Sequence, residues 1–146
     1  MNAHAVVAAC FALCCAAISL SLGVAEIILL STMDQGLPAA GLMAAGVAGY
    51  VAGQSYARRI GQGPAGPALL GHLGVMAAVL FALAIWQPML FTGLFGEAAP
   101  VPLLQTLPAQ LTYGLTLAAL CLALATFRSG ARHALERDIQ AGTRPT

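Results

Sequence analysis

The sequence predicts an all-α integral membrane protein, four transmembrane helices in a bundle with both termini in the cytoplasm, and three observations carry that reading. The first is composition: of 146 residues 60% are hydrophobic and 8% charged, with a mean hydropathy of +0.86, where soluble domains carry about 25% charged residues. The six basic and five acidic side chains are too few to solvate the surface of a water-soluble domain. The second is the presence of four apolar stretches, each near the roughly 20 residues needed to cross the hydrocarbon core. The third is charge placement. Every basic residue is an arginine, and Arg58, Arg59 and Arg128, Arg132, Arg137, Arg144 form two clusters. Four crossings put both clusters on one side, which positive-inside bias makes the cytoplasm. Three crossings would split them across the membrane.

The first stretch covers about 5–30. It lacks the basic start of a secretory signal and far exceeds a signal's apolar run, so a retained helix is expected. At 1.5 Å per residue it reaches roughly 39 Å against a core of about 30 Å, which requires tilt or overhang. The second covers about 38–57, the third 67–87 and the fourth 108–127. Pro38, Pro67 and Pro108 stand near the last three starts, where a missing N–H costs nothing because first-turn donors have no helical partner. Gly61, Gly63, Pro64, Gly66 and Pro67 break the chain between the second and third spans. The stretch 89–107 is apolar but interrupted by Gly93, Gly96, Pro100 and Pro102. It is expected in the outer interface, anchored by Trp86, Phe91 and Phe95, with a re-entrant loop as the alternative. Residues 1–127 thus make one membrane domain and 128–146 a basic cytoplasmic tail, in which Arg132 and Glu136 stand one helical turn apart and suit a short extension of the fourth helix.

Several function classes find no support. A net charge of +1 provides no basic field for nucleic acid. The glycine-rich turn lacks the Lys-Ser/Thr ending of a phosphate loop. No H-E-x-x-H or G-x-S-x-G occurs, and a non-enzymatic protein is expected. Haem held by two intramembrane histidines is disfavoured because His4 and His133 fall outside the spans, leaving His72 alone within one. No cofactor is expected.

The candidate residues fall into four groups. Gly41, Ala45, Gly49 and Gly53, with Gly46, Ala48 and Ala52 beside them, form a small-residue ridge on the second span. Helices in lipid associate by close backbone approach, which such a ridge permits. Its partner is the first or fourth span of the same chain, a second copy, or another membrane subunit. Glu26 is the one acid inside a span, about 12 Å beyond the midplane toward the outer face. It is solvated at the boundary or satisfied there by a neighbouring Ser, Thr or Gln, held by an interhelical contact, or coupled to transport. His72 falls about 9 Å inside the midplane, roughly 20 Å from Glu26 along the normal, too far for direct proton relay. Cys10, Cys14 and Cys121 with His72 form a conceivable thiolate metal set, although a free cysteine in an apolar helix more simply packs as a small hydrophobe. Arg58, Arg59, Arg128 and Arg132 are placed to meet anionic lipid head groups.

Two resemblances arise. The segment Ala25-Glu26-Ile27 resembles part of the first helix of small multidrug resistance transporters, four-span proteins whose membrane carboxylate exchanges protons for cationic drugs. The overall layout resembles uncharacterised four-span bacterial inner-membrane proteins of about this length. Their second span is rich in small residues and ends in an aromatic-basic-glycine-proline turn, here Tyr56-Ala57-Arg58-Arg59-Ile60-Gly61-Gln62-Gly63-Pro64. That resemblance implies fold and location without an activity. The expectation is a non-enzymatic accessory or structural subunit of the inner membrane, packing with a larger membrane complex or with itself. The alternatives are a homodimeric proton-coupled transporter working through Glu26 and a thiol or metal-handling membrane protein.

Overall fold

The computed structural model describes residues 2–33, 40–95 and 109–141. Within them the chain is entirely helical outside its turns, with α1 Ala3–Met33, α2 Ala40–Ile60, α3 Gly66–Phe95 and α4 Ala109–Gln140. Pro38, Pro108, Asp34, Arg144 and the part of the expected interfacial segment beyond Phe95 lie outside the described residues.

The turn between α2 and α3 follows the glycine and proline chemistry. Gly61 adopts φ 78°, the left-handed region that glycine enters without a Cβ penalty, and its N–H closes α2 on the Ala57 carbonyl at 2.8 Å. Pro67 stands in the first turn of α3, as its missing N–H requires. The far end of α3 departs from expectation. The helix continues through Pro88 to Phe95, so 89–95 is a continuation of the third helix and not a separate segment. Proline is tolerated inside apolar helices where neighbouring groups re-satisfy the freed carbonyl. Of the three expected aromatic anchors, Trp86 is the one whose side chain is described, and it is exposed. The fourth helix also exceeds its expected span, running on through Arg128 and Arg132 to Gln140.

Three of the helices contain stretches long and apolar enough to cross a membrane: Ala3–Met33, Gly66–Trp86 and Tyr113–Gln140. The expected second span does not join them. Helix α2 is built largely of glycine and alanine, which contribute little hydropathy. It is instead the most enclosed element, with Ala44, Ala45, Ala48 and Ala52 fully buried.

Helix register follows from the contacts. A Cβ added to Gly46 would meet Leu122, one on Gly49 would meet Ala123, and one on Gly53 would meet Phe127 and Ala131. Both numbers rise together, so α2 and α4 run parallel. Ala57 continues the seam against Ala131 and Ala134, and the Tyr50 carbonyl lies against Gly130. The ridge on α2 is therefore occupied within the chain, by α4. It consists of Gly46, Gly49, Gly53 and Ala57; Ala45 is buried in the main core, while Gly41 is exposed, and a methyl group placed on it would meet no atom within 4 Å. Gly41 therefore drops out of the packing set.

Helix α1 contributes Val7, Phe11, Cys15, Ser19 and Gly23 as one buried stripe. Their four-residue spacing keeps them on one face. Val7, Phe11 and Cys15 join the alanines of α2, Met76 of α3 and Ala119, Ala123 and Phe127 of α4 in a single core. Helix α3 is the loosest member. Among its described side chains only His72 and Met76 are buried.

Candidate functional site

The polar chemistry of the bundle gathers where the first turns of α1, the last turn of α2, the early turns of α3 and the middle of α4 converge. His4, Tyr56, His72 and Phe127 come from these four helices and form one ring cluster. The centroid separations are 5.3 Å for His4–His72, 5.2 Å for Tyr56–His72 and 5.5 Å for His72–Phe127. Tyr56 meets His72 edge-on at 88°, while Phe127 stacks on it at 26°. Such aromatic pairs are each worth about 0.5–1.5 kcal/mol, so the cluster ties α3 to the remaining helices.

His72 is 6% exposed. Its Nδ1 lies 2.7 Å from the Ala68 carbonyl. A carbonyl oxygen can only accept, so Nδ1 carries the proton and donates, which leaves Nε2 as the free position of the ring. Nε2 is buried and, among the described residues, has no hydrogen-bond partner. A buried polar atom in that state costs about 1–3 kcal/mol. The groove beside it has a volume of about 530 Å³ and is lined by His4, Ala5 and Ala8 of α1 and by Pro67, Ala68, Gly71, His72 and Val75 of α3.

The pairing of His4 with His72 corrects the sequence reading, which set His4 outside the spans. Helix α1 begins at Ala3, and His72 lies level with the first turn of α1. The same register enlarges the distance to Glu26. Glu26 is 22 residues past His4 on α1 (26 − 4), about 33 Å by helical rise, against the roughly 20 Å expected from span midpoints. Glu26 is 5% exposed, and its Oε1 has no hydrogen-bond partner among the described residues. Among the described residues Glu26 is thus shielded from solvent by the protein itself.

The thiol set is not assembled. Among the described residues no three of His, Cys, Asp and Glu are grouped to hold a metal ion. Cys121 is exposed on α4, Cys15 is buried in the core, and Cys10 and Cys14 sit half-buried, with Cys10 facing the arginines. Cys10, Val51, Gln54, Ser55, Arg58 and Arg59 line a second cavity of about 390 Å³. Because α2 and α4 are parallel, Arg58 and Arg59 share one end of the bundle with Arg132 and Arg137. Arg128 lies a turn deeper, level with Gly53.

Comparison with known proteins identifies no relative: no family model, curated protein or solved structure matches the chain.

Proposed function

We propose that this chain is a four-span protein of the bacterial cytoplasmic membrane, with both termini on the arginine-bearing cytoplasmic side, and that it is a non-enzymatic accessory subunit docking to a membrane partner through α3. In this reading α2 crosses the membrane too, its low hydropathy compensated by the protein around it. The observation that supports the docking role is the asymmetry of α3. Its described side chains are buried only at His72 and Met76, while Gly74, Ala78 and Ala82 lie exposed on one face. Successive offsets of four residues keep those three aligned, and a small-residue face lets another helix approach closely in lipid. The comparable face of α2 is closed by α4; that of α3 is open.

The experiment is native mass determination after gentle extraction from the source membrane, with identification of every co-migrating chain, for wild type and Ala78→Leu. A stoichiometric partner lost in Ala78→Leu, with the helical content of the chain unchanged, supports the proposal. A monomer in both cases refutes it.

A second reading, a homodimeric proton-coupled transporter, is favoured by one observation: Glu26 is buried with Oε1 unpartnered. A carboxylate so placed is costly within a membrane unless a proton or cation compensates it. Flux into proteoliposomes that follows a proton gradient and disappears in Glu26→Gln supports this reading. Flux equal in both proteins removes it.

A further inference from the structure

The groove between α1 and α3 is built as a ligand site, and its chemistry restricts the ligand. Its volume of about 530 Å³ lies in the range of small-molecule pockets, which are mostly apolar with a few placed polar groups. The walls are small and apolar, Ala5 and Ala8 on one side and Pro67, Ala68, Gly71 and Val75 on the other. His4 and His72 are the polar lining residues. Among the described residues no carboxylate or arginine lines the groove, so neither an organic anion nor an organic cation finds a counter-charge there. A metal ion finds two imidazoles and no third ligand among the described residues, and leaves most of the volume empty. The unmet requirement is a hydrogen-bond donor for Nε2 of His72, because Nδ1 already donates to Ala68.

We propose that this groove binds an uncharged, flat, apolar molecule bearing a hydroxyl, a phenol or quinol ring. The ring lies between the alanines of α1 and the small residues of α3, and its O–H donates to Nε2 of His72. His72 lines the groove, and its Nε2 has less than 1 Å² accessible, so the ring that covers it must move for the hydroxyl to reach it. His4, exposed in the first turn of α1, is the ring that turns aside to admit the hydroxyl. The arrangement discriminates by donor capacity. A methyl ether or an oxidised quinone has only acceptors, and an acceptor facing the Nε2 lone pair gains nothing.

The test uses the full-length protein in lipid nanodiscs, with 4-propylphenol and its methyl ether as probes. Saturable binding is read by calorimetry and by the His72 imidazole proton resonance. The phenol is expected to bind roughly three- to tenfold more tightly than the ether, the span of one net hydrogen bond. His72→Phe keeps a ring against Tyr56 and Phe127 and is expected to bind both probes equally. Gly71→Leu places a side chain in the groove, and since nothing lies within 4 Å of its first carbon it is expected to fold and to bind neither. Equal binding of phenol and ether to the wild type overturns the proposal, as does a preference that survives in His72→Phe. Absence of saturable binding by either probe overturns it, and so does retention of zinc or copper that requires both histidines in place of phenol binding.

Discussion

Replacing Gly53 by alanine adds one methyl group at the point where α2 and α4 are closest. The added Cβ would lie 2.8 Å from the Phe127 carbonyl carbon and 3.0 Å from the Ala131 nitrogen, and closer still to the Phe127 oxygen. Those atoms are the two ends of one α4 backbone hydrogen bond, so no rotamer change relieves the overlap. Ordinary contact begins near 3.4 Å; relieving the carbonyl carbon alone requires about 0.6 Å (3.4 − 2.8), and the nearer oxygen requires the helices to part by more than that. A gap of that size forfeits a quarter or more of each dispersion contact it opens, along a seam that reaches from Gly46 to Ala57. Overpacking of this kind costs about 1–3 kcal/mol, partly offset by the roughly 0.5–1 kcal/mol by which alanine favours a helix over glycine. The net expectation is a loss of about 1–2 kcal/mol.

Gly41→Ala is the matched control. Nothing lies within 4 Å of its Cβ position, so the helix-propensity gain stands alone and the variant is expected to be about 0.5–1 kcal/mol more stable. Reversible unfolding in mixed micelles, titrated with dodecyl sulfate and followed by circular dichroism, measures both. The midpoints should move in opposite directions, separated by about 2 kcal/mol. Movement of both in the same direction would refute the assignment of α4 as the partner of the ridge.

Three further outcomes follow from the same contacts. Met76→Ala removes one of the two buried side chains among those described on α3 and is expected to cost about 1–2 kcal/mol, less than the roughly 2–5 found in water-soluble cores because lipid-facing apolar groups gain little by burial; cross-linking yield between cysteines placed on α1 and α3 checks it, and an unchanged yield would mean that α3 is held elsewhere. Gly61→Ala forces a methyl-bearing residue to φ 78° and should lower stability by about 1–2 kcal/mol in the same micelle titration, whereas no shift would place the stop of α2 elsewhere. Arg58→Ala with Arg59→Ala should weaken co-purification of anionic lipid by about 2 kcal/mol, near 1 kcal/mol per arginine at the surface, measured by native mass of lipid adducts across a lipid titration; an unaltered adduct pattern would show that these arginines do not meet head groups.

What the sequence made legible was local. The glycine stop at Gly61, the proline start at Pro67 and the small-residue character of α2 each depend on one residue's own backbone freedom or lack of a side chain. Depth relations between helices were not legible, because counting from span midpoints assumes that all midpoints share a plane. Helix α1 is 31 residues long, about 46 Å at helical rise, so its midpoint does not fix its ends. That assumption separated His4 from His72 and shortened the distance from His72 to Glu26. Pro88 misled in another way: in water proline stops a helix, but in an apolar helix the alternatives to continuing are worse.

The second helix shows why hydropathy and packing point in opposite directions in such a bundle. Close backbone approach needs glycine and alanine, and those residues dilute the very signal by which a span is recognised. The helix that fails the apolar criterion is thereby the one with five fully buried alanines, while the apolar window of α3, with a mean hydropathy of 2.3, is only 17% buried. Low hydropathy is tolerable where neighbouring protein takes the place of lipid, and high hydropathy is required where it does not. Both proposed contacts accordingly fall on α3: a partner helix on the face of Gly74, Ala78 and Ala82, and a small apolar molecule at the groove lined by Pro67, Gly71 and His72.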